Sequence, residues 1–559
     1  MQKFLRYFGK EYSNINQAAI LLGLFTFASQ LLGLFRDRSI AHFIGPSPSL
    51  DAYYAAFRIP DLIFISVASL VSITVLIPFI LTRMRDNKIT PEAEKFLNDV
   101  FTSFLILMIL VSVIVFFALP KLVHIIAPGF DREMQNMVID LSRIMLISPI
   151  LLGLSNLFGS ITQLFKKFFI YSLSPIFYNV GIIIGILFLY PVFGIHGLAM
   201  GLVLGALMHF LIQFIAIYKF GFHPRLSFSI NWIDIKKVFL TSVPRTLGLS
   251  FNNIAQISIV SFASFLISGS ISIFTFAYNL QSVPVGVIGL SYAVAAFPML
   301  TKSFTLNNMH DFKLHLRAGA KQIVFWSLPM MFLLIVLRAQ IVRVVLGSGY
   351  FSWDNTRLVA ASLAVFSLCI MSQGLTALFA RAYYAGGNTR KPLIVNLFSS
   401  VSIILFAYLL IHLYTSQEFV RNFFESALKV RDVVGTEVIM LPLAYSLGTI
   451  LNSILLWFFI KRDFMRNENF IMKTFLQSLT GSFVIGLVAY LSLNIFEGVF
   501  SNDTFYGVFL DGLISGILGI IAGGFTLYML KNQELLTLLS IVKTKFWKDK
   551  NIVQDQESM

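Results

Sequence analysis

The sequence is poor in the residues on which disulfide-rich domains and soluble enzymes depend. Only 12% of its 559 residues are charged, and its single cysteine, Cys369, lies in the apolar run SLAVFSLCIM. One cysteine excludes an internal disulfide framework and a cysteine-based metal site. We therefore interpret Cys369 as a small buried hydrophobe.

The chain also lacks the short motifs of nucleotide-binding, zinc-dependent and serine-dependent enzymes. It contains no GxxxxGK[ST], no HExxH and no GxSxG, and its eight histidines are scattered. The lone groups His209 and Asp511 fit packing or lipid-headgroup roles better than catalysis. We predict that the protein is not an enzyme and uses no cofactor and no metal.

Long hydrophobic runs are what the sequence has in abundance. Hydrophobic residues make up 57% of the chain, and runs of about 18 to 30 residues recur, each long enough to cross a bilayer as a helix. This pattern predicts an all-α polytopic membrane protein with about 14 transmembrane helices. We place spans 1 to 14 at residues 17–35, 52–82, 98–119, 136–164, 168–190, 195–218, 237–267, 271–299, 320–341, 356–384, 391–412, 437–460, 471–495 and 504–530.

The net charge of +15 follows the membrane topology. About two thirds of the lysines and arginines fall in alternate loops and in the two termini, a bias that predicts both termini in the cytoplasm. The cations therefore indicate topology and attraction to anionic lipid, and we predict no nucleic-acid partner. The largest external loop, residues 415–437, carries charges of both signs and is typical of a solvated amphipathic segment.

An internal repeat divides the chain. Residues 153–158 (GLSNLF) recur as residues 374–379 (GLTALF), and three other short matches share the same order and nearly the same shift. The shift covers six spans, so both copies enter the membrane from one side and form two parallel six-helix lobes. We predict an N-terminal lobe at 1–222, a C-terminal lobe at 223–462, spans 13 and 14 at 463–531 and a cytoplasmic tail at 532–559.

Ionisable residues cluster in predicted span 2, where Asp51, Arg58 and Asp61 follow one another. A charge at mid-bilayer costs about 2.5 to 3.5 kcal/mol, so three in one helix would cost roughly 8 to 10 kcal/mol if they faced lipid. We expect them to face a wet cavity. The alternative is that Arg58 and Asp61 form a buried pair that only locks neighbouring spans together.

Polar residues also mark spans 1, 7 and 8. Span 1 ends on Arg36 and Asp37, whose alternative role is snorkelling to the membrane interface. Spans 7 and 8 combine polar side chains with proline and glycine, as in SVPRTLGLSFNNIAQIS and NLQSVPVGVIG. The predicted substrate-binding residues of the central cavity are Arg36, Asp37, Asp51, Arg58, Arg245, Asn253, Gln256, Asn279 and Gln281, with Asp61 and Arg381 as supporting residues.

The balance of charge in this predicted cavity suits an anion. No acidic residue occurs between Asp234 and Asp311, which covers spans 7 and 8. Arginine donates paired hydrogen bonds to phosphate oxygens and stays charged when it is desolvated. The cavity is therefore better suited to a diphosphate than to the cations or drugs of an antiporter.

Four stretches resemble the MurJ (MviN) family of lipid II flippases, in the MOP exporter superfamily. They are LLGLFRDRSIAHFIGPSPSLDAYYAAFRIPDLIF, SVPRTLGLSFNNIAQIS, FAYNLQSVPVGVIGLSYAVAAFPMLTKSF and YYAGGNTRKPLIVN. The resemblance runs over residues 22–461 and implies alternating access with a cavity between spans 1, 2, 7 and 8 and a lipid-tail groove at spans 13 and 14. The family's Arg-Asp pair of span 1 matches Arg36 and Asp37, and its loop aspartate matches Asp51.

The function implied is movement of the polyprenyl-diphosphate-linked peptidoglycan precursor (lipid II) from the inner to the outer leaflet of the bacterial cytoplasmic membrane, for cell-wall synthesis and cell shape. Its partners would be lipid II or a similar glycolipid, membrane lipids and cell-wall synthesis proteins. Two alternatives stay open: a flippase for another polyprenyl-linked saccharide, and a transport-inactive scaffold of the same fold. The membrane potential is a candidate driving force, because the substrate is anionic.

The sequence departs from the family pattern at several cavity positions. These are Gln30, Phe64 and Asn279, where members carry arginines, and Ile259, where some members place a sodium-linked aspartate. The departures leave the head-group contacts and any sodium coupling open. Our hypothesis is that Arg58 and Arg245 supply the missing positive charge.

Overall fold

The computed structural model describes residues 15–548 except 69–75, 77, 78, 81, 86, 87, 166, 220, 221, 467–470, 497, 498 and 500–503. Within this part the regular secondary structure is helical, apart from a two-residue antiparallel pairing of Met84–Arg85 with Lys88–Ile89. In the described residues each predicted span coincides with a helix or a run of helices, span 2 only as far as Ala68, and the span numbers are kept for them below.

The first six spans have these bounds: span 1 Ile15–Phe43, span 2 Pro48–Ile63 and Phe64–Ala68, span 3 Pro91–Ile126, span 4 Arg132–Met145 and Ile147–Leu164, span 5 Phe168–Ile184, Gly185–Leu189 and Tyr190–Phe193, and span 6 Ile195–Lys219. Helix starts carry recognisable caps. The Ser47 hydroxyl accepts from the Leu50 N–H ahead of Pro48, and Thr90 plays the same part ahead of Pro91.

The next eight spans have these bounds: span 7 Trp232–Ala263, span 8 Ser270–Pro284, Val285–Leu290 and Ser291–Thr305, span 9 Met309–Val336, span 10 Trp353–Ser367 and Ile370–Ala385, span 11 Arg390–Ser416, span 12 Met440–Asp463, span 13 Met472–Phe496 and span 14 Phe505–Met529. Four further helices lie between or after the spans: Arg338–Leu346, Glu418–Leu428, Thr436–Ile439 and Gln533–Lys548. The external loop therefore contains a regular helix where the sequence predicted only an amphipathic segment.

The chain is a multi-pass membrane protein. Ten described helices are long and apolar enough to cross a membrane, and the two halves of span 10, bent by 43°, make an eleventh if they count as one. The three other predicted spans, 1, 2 and 7, are not among these helices, and they account for the difference between eleven and the predicted fourteen. They carry most of the predicted cavity residues, and span 2 runs into residues outside the described part.

Among the described residues, three spans are interrupted by wider π-helical turns, at Phe64–Ala68 in span 2, Gly185–Leu189 in span 5 and Val285–Leu290 in span 8. The turn in span 8 follows Pro284 directly, because a proline removes a helical hydrogen bond and displaces the preceding carbonyl. Pro60 lies inside the helix of span 2, and the wide turn begins four residues later. Two walls of the predicted cavity are thus helices with a local break.

Close backbone contact holds spans 5 and 6 together. A Cβ atom on Gly201 would lie 2.5 Å from the Cα atom of Gly185, and one on Gly181 would lie 2.3 Å from the Cα atom of Gly205. Glycine at these positions lets the two backbones touch, which favours association of helices that gain nothing from burying apolar surface away from lipid. The N-terminal half of the molecule therefore contains a rigid helix pair behind spans 1 and 2.

Candidate substrate cavity

Span 1 contributes a buried carboxylate that joins it to span 8. Asp37 is 3% exposed, and its Oδ1 accepts from Nε and Nη2 of Arg36 at 2.9 and 2.8 Å. Its Oδ2 accepts from the amide nitrogen of Asn279 at 2.9 Å. The third guanidinium contact of Arg36 goes to Oδ1 of Asn179 in span 5 at 3.1 Å. The predicted pair of span 1 is therefore a fixed network inside the protein, not a snorkelling pair.

Span 2 contributes Arg58, which reaches span 7. Its Nη1 donates to Oε1 of Gln256 at 2.8 Å, and the Gln256 amide nitrogen donates to the Tyr278 hydroxyl in span 8 at 3.0 Å. Arg58 makes no ion pair with Asp61, three residues further along the same helix, which is half-buried. The guanidinium points across to span 7, so Arg58 and Asp61 are not in direct contact, although their charges still act on each other.

Asp51 was predicted to line the central cavity, but it does not border open space. The side chain is 2% exposed, and its Oδ2 accepts from the Gly269 N–H while its Oδ1 accepts from the N–H and the hydroxyl of Ser272. Gly269 has φ +91° and begins the turn into span 8. A carboxylate at the N-terminus of a helix is stabilised by the unpaired N–H groups there. Asp51 therefore joins the two halves of the molecule as a helix cap.

Gln281 also departs from its predicted position. It is fully buried, and its Oε1 accepts from the side-chain amide of Gln373 in span 10 at 3.1 Å. The Gln281 side chain thus packs towards span 10, inside the C-terminal half. Each residue of a helix is rotated by about 100° from the one before it, so Gln281 and Asn279, two residues apart, lie on different faces of span 8. Arg381, predicted as a supporting residue, is half-buried and donates to the carbonyl of Ala377 within span 10.

Span 7 lies against span 2 over several turns. The hydroxyl oxygens of Ser66 and Ser250 are 3.0 Å apart, and further along Arg83 pairs with Asp234 at 2.8 Å. Arg245 lies on the helix between these two contacts, but its side chain is outside the described part of the structure. The prediction that Arg245 supplies positive charge to the cavity therefore stays a prediction.

Several buried polar atoms without a partner lie where these spans meet. Among the described residues they include Oε1 of Gln30 in span 1, the Tyr54 hydroxyl and Nε of Arg58 in span 2, and the amide nitrogen of Asn253 in span 7. Most buried polar atoms in proteins are paired, and an unpaired one costs about 1 to 3 kcal/mol. Four such atoms on three adjoining helices indicate a place for water or a polar ligand.

Some residues of this network were not predicted from the sequence. Asn179 completes the contacts of Arg36 and Tyr278 those of Gln256. Neither side chain is charged, and Asn179 stands in a mostly apolar run. The signal for Asn179 was present in the repeat, because PIFYN at 175–179 matches PLIVN at 392–396. The second copy, Asn396, also accepts a hydrogen bond from a neighbouring span, from Asn452 at 3.0 Å.

Contacts between the two halves also gather at one end of the spans. The Gly129 N–H donates to the Ser264 hydroxyl at 3.0 Å, and the Tyr350 N–H donates to the His42 carbonyl at 3.1 Å. These residues lie at the ends of spans 1, 3 and 7 and before span 10, on the same side as Asp51. The polar network of Arg36, Asp37, Arg58, Gln256 and Asn279 is therefore closed off at this end of the molecule.

For His209 the sequence predicted packing or a lipid-headgroup role, and the structure shows packing: its Nδ1 lies 2.7 Å from the Ser155 hydroxyl, between spans 6 and 4. Cys369 is fully buried, as predicted. No group of three or more histidine, cysteine, aspartate or glutamate side chains close enough to hold a metal ion occurs in the described residues.

The fold is one that solved membrane transporters share. It matches a solved lipid II flippase MurJ in an inward closed conformation with a TM-score of 0.73 at 23% identity, over 93% of this chain and all of that one. It also matches an inward-facing multidrug resistance MATE family transporter of the MOP superfamily with a TM-score of 0.62 at 17% identity, over 78% and 94% of the two chains.

Sequence comparison gives the family. The sequence model described as lipid II flippase MurJ matches residues 40–509, so the chain belongs to the MurJ family. A relative from Rickettsia prowazekii (strain Madrid E), named "Probable lipid II flippase MurJ", is 27% identical over 392 residues, which cover 69% of this chain and 76% of the relative. The resemblance stated from the four sequence stretches is confirmed.

Proposed function

We propose that the protein carries lipid II from the inner to the outer leaflet of the cytoplasmic membrane by alternating access. Its family and the names of its relatives support this substrate. The observation that carries the proposal is the position of Arg58, a half-buried arginine at the junction of spans 2, 7 and 8 whose Nε is buried and has no protein partner among the described residues. A guanidinium with N–H groups to spare, held away from bulk water, suits a diphosphate.

The arginines of spans 1 and 2 differ in role. The charge of Arg36 is neutralised by Asp37, and its guanidinium also donates to Asn179. Arg36 therefore holds the cavity wall in place and has N–H groups left to donate to a ligand. Arg58 donates its side-chain hydrogen bond to an uncharged partner, Gln256, and the nearby Asp61 carboxylate acts on it without direct contact. Arg58 is therefore the cation that a lipid diphosphate can engage without first separating an ion pair, which would cost more than exchanging an amide.

The lobe boundaries proposed are 1–222 and 223–462, with spans 13 and 14 outside both. The links Asp37–Asn279 and Arg58–Gln256 cross that boundary. A substrate diphosphate that replaced Gln256 on Arg58 would release one of these links while it bound. Binding would in this way favour separation of the lobes on one side, which is the differential interaction that a transport cycle requires.

The membrane potential is proposed as the driving force. A lipid diphosphate with two negative charges gains about 4 to 5 kcal/mol when it moves outward across 100 mV, inside negative. With Ile259 where some members place a sodium-linked aspartate, this chain would not need a sodium gradient. Both termini are proposed to be cytoplasmic, and enzymes of cell-wall synthesis are the proposed protein partners.

The test is a lipid II accessibility assay in bacterial cells depleted of their own flippase and supplied with this protein. Lipid II in the outer leaflet is counted by its cleavage with an externally added enzyme that cannot cross the membrane. We expect the protein to restore cleavage, and collapse of the potential to stop it. Restored growth without restored cleavage would instead indicate a scaffold role.

Substrate choice is tested in lipid vesicles that contain the purified protein. Lipid II and a second polyprenyl diphosphate, carrying a saccharide without the peptide, are supplied separately. We expect at least a tenfold faster exposure of lipid II at the outer leaflet. Equal rates would assign the protein to polyprenyl-linked saccharides in general.

A further inference from the structure

A second polar cavity lies away from spans 1, 2, 7 and 8. It has a volume of about 480 Å³ and is formed by the end of span 9, the start of the helix Arg338–Leu346, the start of span 10, the end of span 13 and the start of span 14. The end of the external helix Glu418–Leu428 and Lys429 close it. With the cytoplasmic termini proposed above, this is the outer-leaflet end of the spans.

Three cations line this cavity: Arg338, Arg357 and Lys429. Arg357 is balanced by Asp432, to which it donates two hydrogen bonds. This contact lowers the pKa of the Asp432 carboxyl to about 2, so that the pair stays ionised at all physiological pH values. The remaining cations of the cavity are Arg338 and Lys429.

Arg338 has no acidic partner within the described part of the chain. Its Nη1 donates to the Ile335 carbonyl at 2.8 Å and its Nη2 lies 3.5 Å from the Leu428 carbonyl. Asp511 lines the same cavity, is largely buried and lies 3.5 Å from the Gln340 amide nitrogen. Counting Asp432 and Asp511 against the three cations leaves one net positive charge.

The rest of the lining is typical of the membrane interface. Trp353 and Tyr490 belong to the residue types that lie at the level of lipid headgroups. Ile335, Val336 and Leu493 add an apolar wall. A ligand for this cavity should therefore carry one negative charge with oxygen acceptors at one end and an apolar body at the other.

We propose that this cavity binds the phosphate of an anionic phospholipid from the outer leaflet. Arg338 and Lys429 would donate to the phosphate oxygens, while the apolar wall and the two aromatic rings contact the glycerol and the first part of the acyl chains. The occupied cavity would tie spans 9 and 10 to spans 13 and 14. The inference is independent of the lipid that the central cavity transports.

The experiment is native mass spectrometry of the purified protein with added phosphatidylglycerol. Phosphatidylcholine, which has a phosphate but no net charge, serves as the matched lipid, and inorganic phosphate as the soluble source of the same group. We expect one phosphatidylglycerol retained per protein, with Arg338→Gln weakening its binding about tenfold, the scale expected for loss of a charge-assisted hydrogen bond. Arg431→Gln, which removes an exposed cation of the same loop outside the cavity, should leave it unchanged.

Lys429→Asn gives a second variant that should fold even if Arg338→Gln does not. Lys429 has φ +60°, a conformation that asparagine tolerates well. We expect a smaller loss, about threefold, because Lys429 is exposed and its interactions are screened. Unchanged binding in both variants, equal retention of phosphatidylcholine, or displacement of phosphatidylglycerol by millimolar inorganic phosphate would each overturn the proposal.

Discussion

Asn279 of span 8 donates its amide to Asp37 of span 1 at 2.9 Å, and so joins the two halves of the molecule through a neutral group. The resemblance to the family implies an arginine at this position, which in this structure would face the Asp37 carboxylate. Loss of one partner of a buried ion pair destabilises a protein by about 3 to 5 kcal/mol. A hydrogen bond to a charged group contributes only about 1.5 to 3 kcal/mol. An amide link is therefore the easier one to break and remake in a cycle.

The Asp37–Asn279 link predicts opposite outcomes for two substitutions of Asn279. Asn279→Arg should keep the protein active, because the guanidinium can replace the amide at Oδ2 of Asp37 and adds positive charge to the cavity. Asn279→Asp should abolish activity, because two carboxylates would face each other in a buried site. The measurement is growth of a flippase-depleted strain together with lipid II accessibility. Activity of Asn279→Asp at the wild-type level would contradict this role of the link.

Arg58 is the second test. Arg58→Ala should lower the lipid II transport rate at least tenfold, because a desolvated phosphate contact of about 1.5 kcal/mol or more is lost. Arg58→Lys should keep part of the activity, since it keeps the charge but not the paired donors. The exposed Arg431→Ala is the matched control and should transport normally. Folding is checked by thermal unfolding in detergent, and full transport by a folded Arg58→Ala would remove Arg58 from the proposed mechanism.

Much of the site was visible in the sequence, since intramembrane polar residues are rare and costly. The residues Arg36, Asp37, Arg58, Gln256 and Asn279 do come together between spans 1, 2, 7 and 8. Side-chain direction was not visible. Asp51 and Gln281 lie on the predicted helices, but Asp51 caps span 8 and Gln281 turns towards span 10, because both are governed by contacts with helices more than 90 residues away in the chain.

The glycine contact between spans 5 and 6 predicts a stability effect without a direct effect on the cavity. Gly201→Val should destabilise the protein by about 1 to 3 kcal/mol, because its Cβ would lie 2.5 Å from the Cα atom of Gly185 and the backbones must separate. Gly524→Val is the matched control, since a Cβ there meets no atom within 4 Å. The measurement is the thermal unfolding midpoint in detergent, and equal midpoints for the two variants would contradict the close packing.

The contact between Ser66 and Ser250 tests whether spans 2 and 7 must separate for transport. Their hydroxyl oxygens are 3.0 Å apart, so a cysteine at each position can form a disulfide with a small adjustment of the side chains. The single native cysteine is buried, and Cys369→Ala gives a background in which the introduced pair alone reacts. We expect oxidation of Ser66→Cys/Ser250→Cys to stop lipid II transport and a reductant to restore it, while each single variant transports under both conditions. If the cross-linked protein still transports at the uncross-linked rate, the lobes move about another contact and Ser66 lies on the hinge, not on the opening.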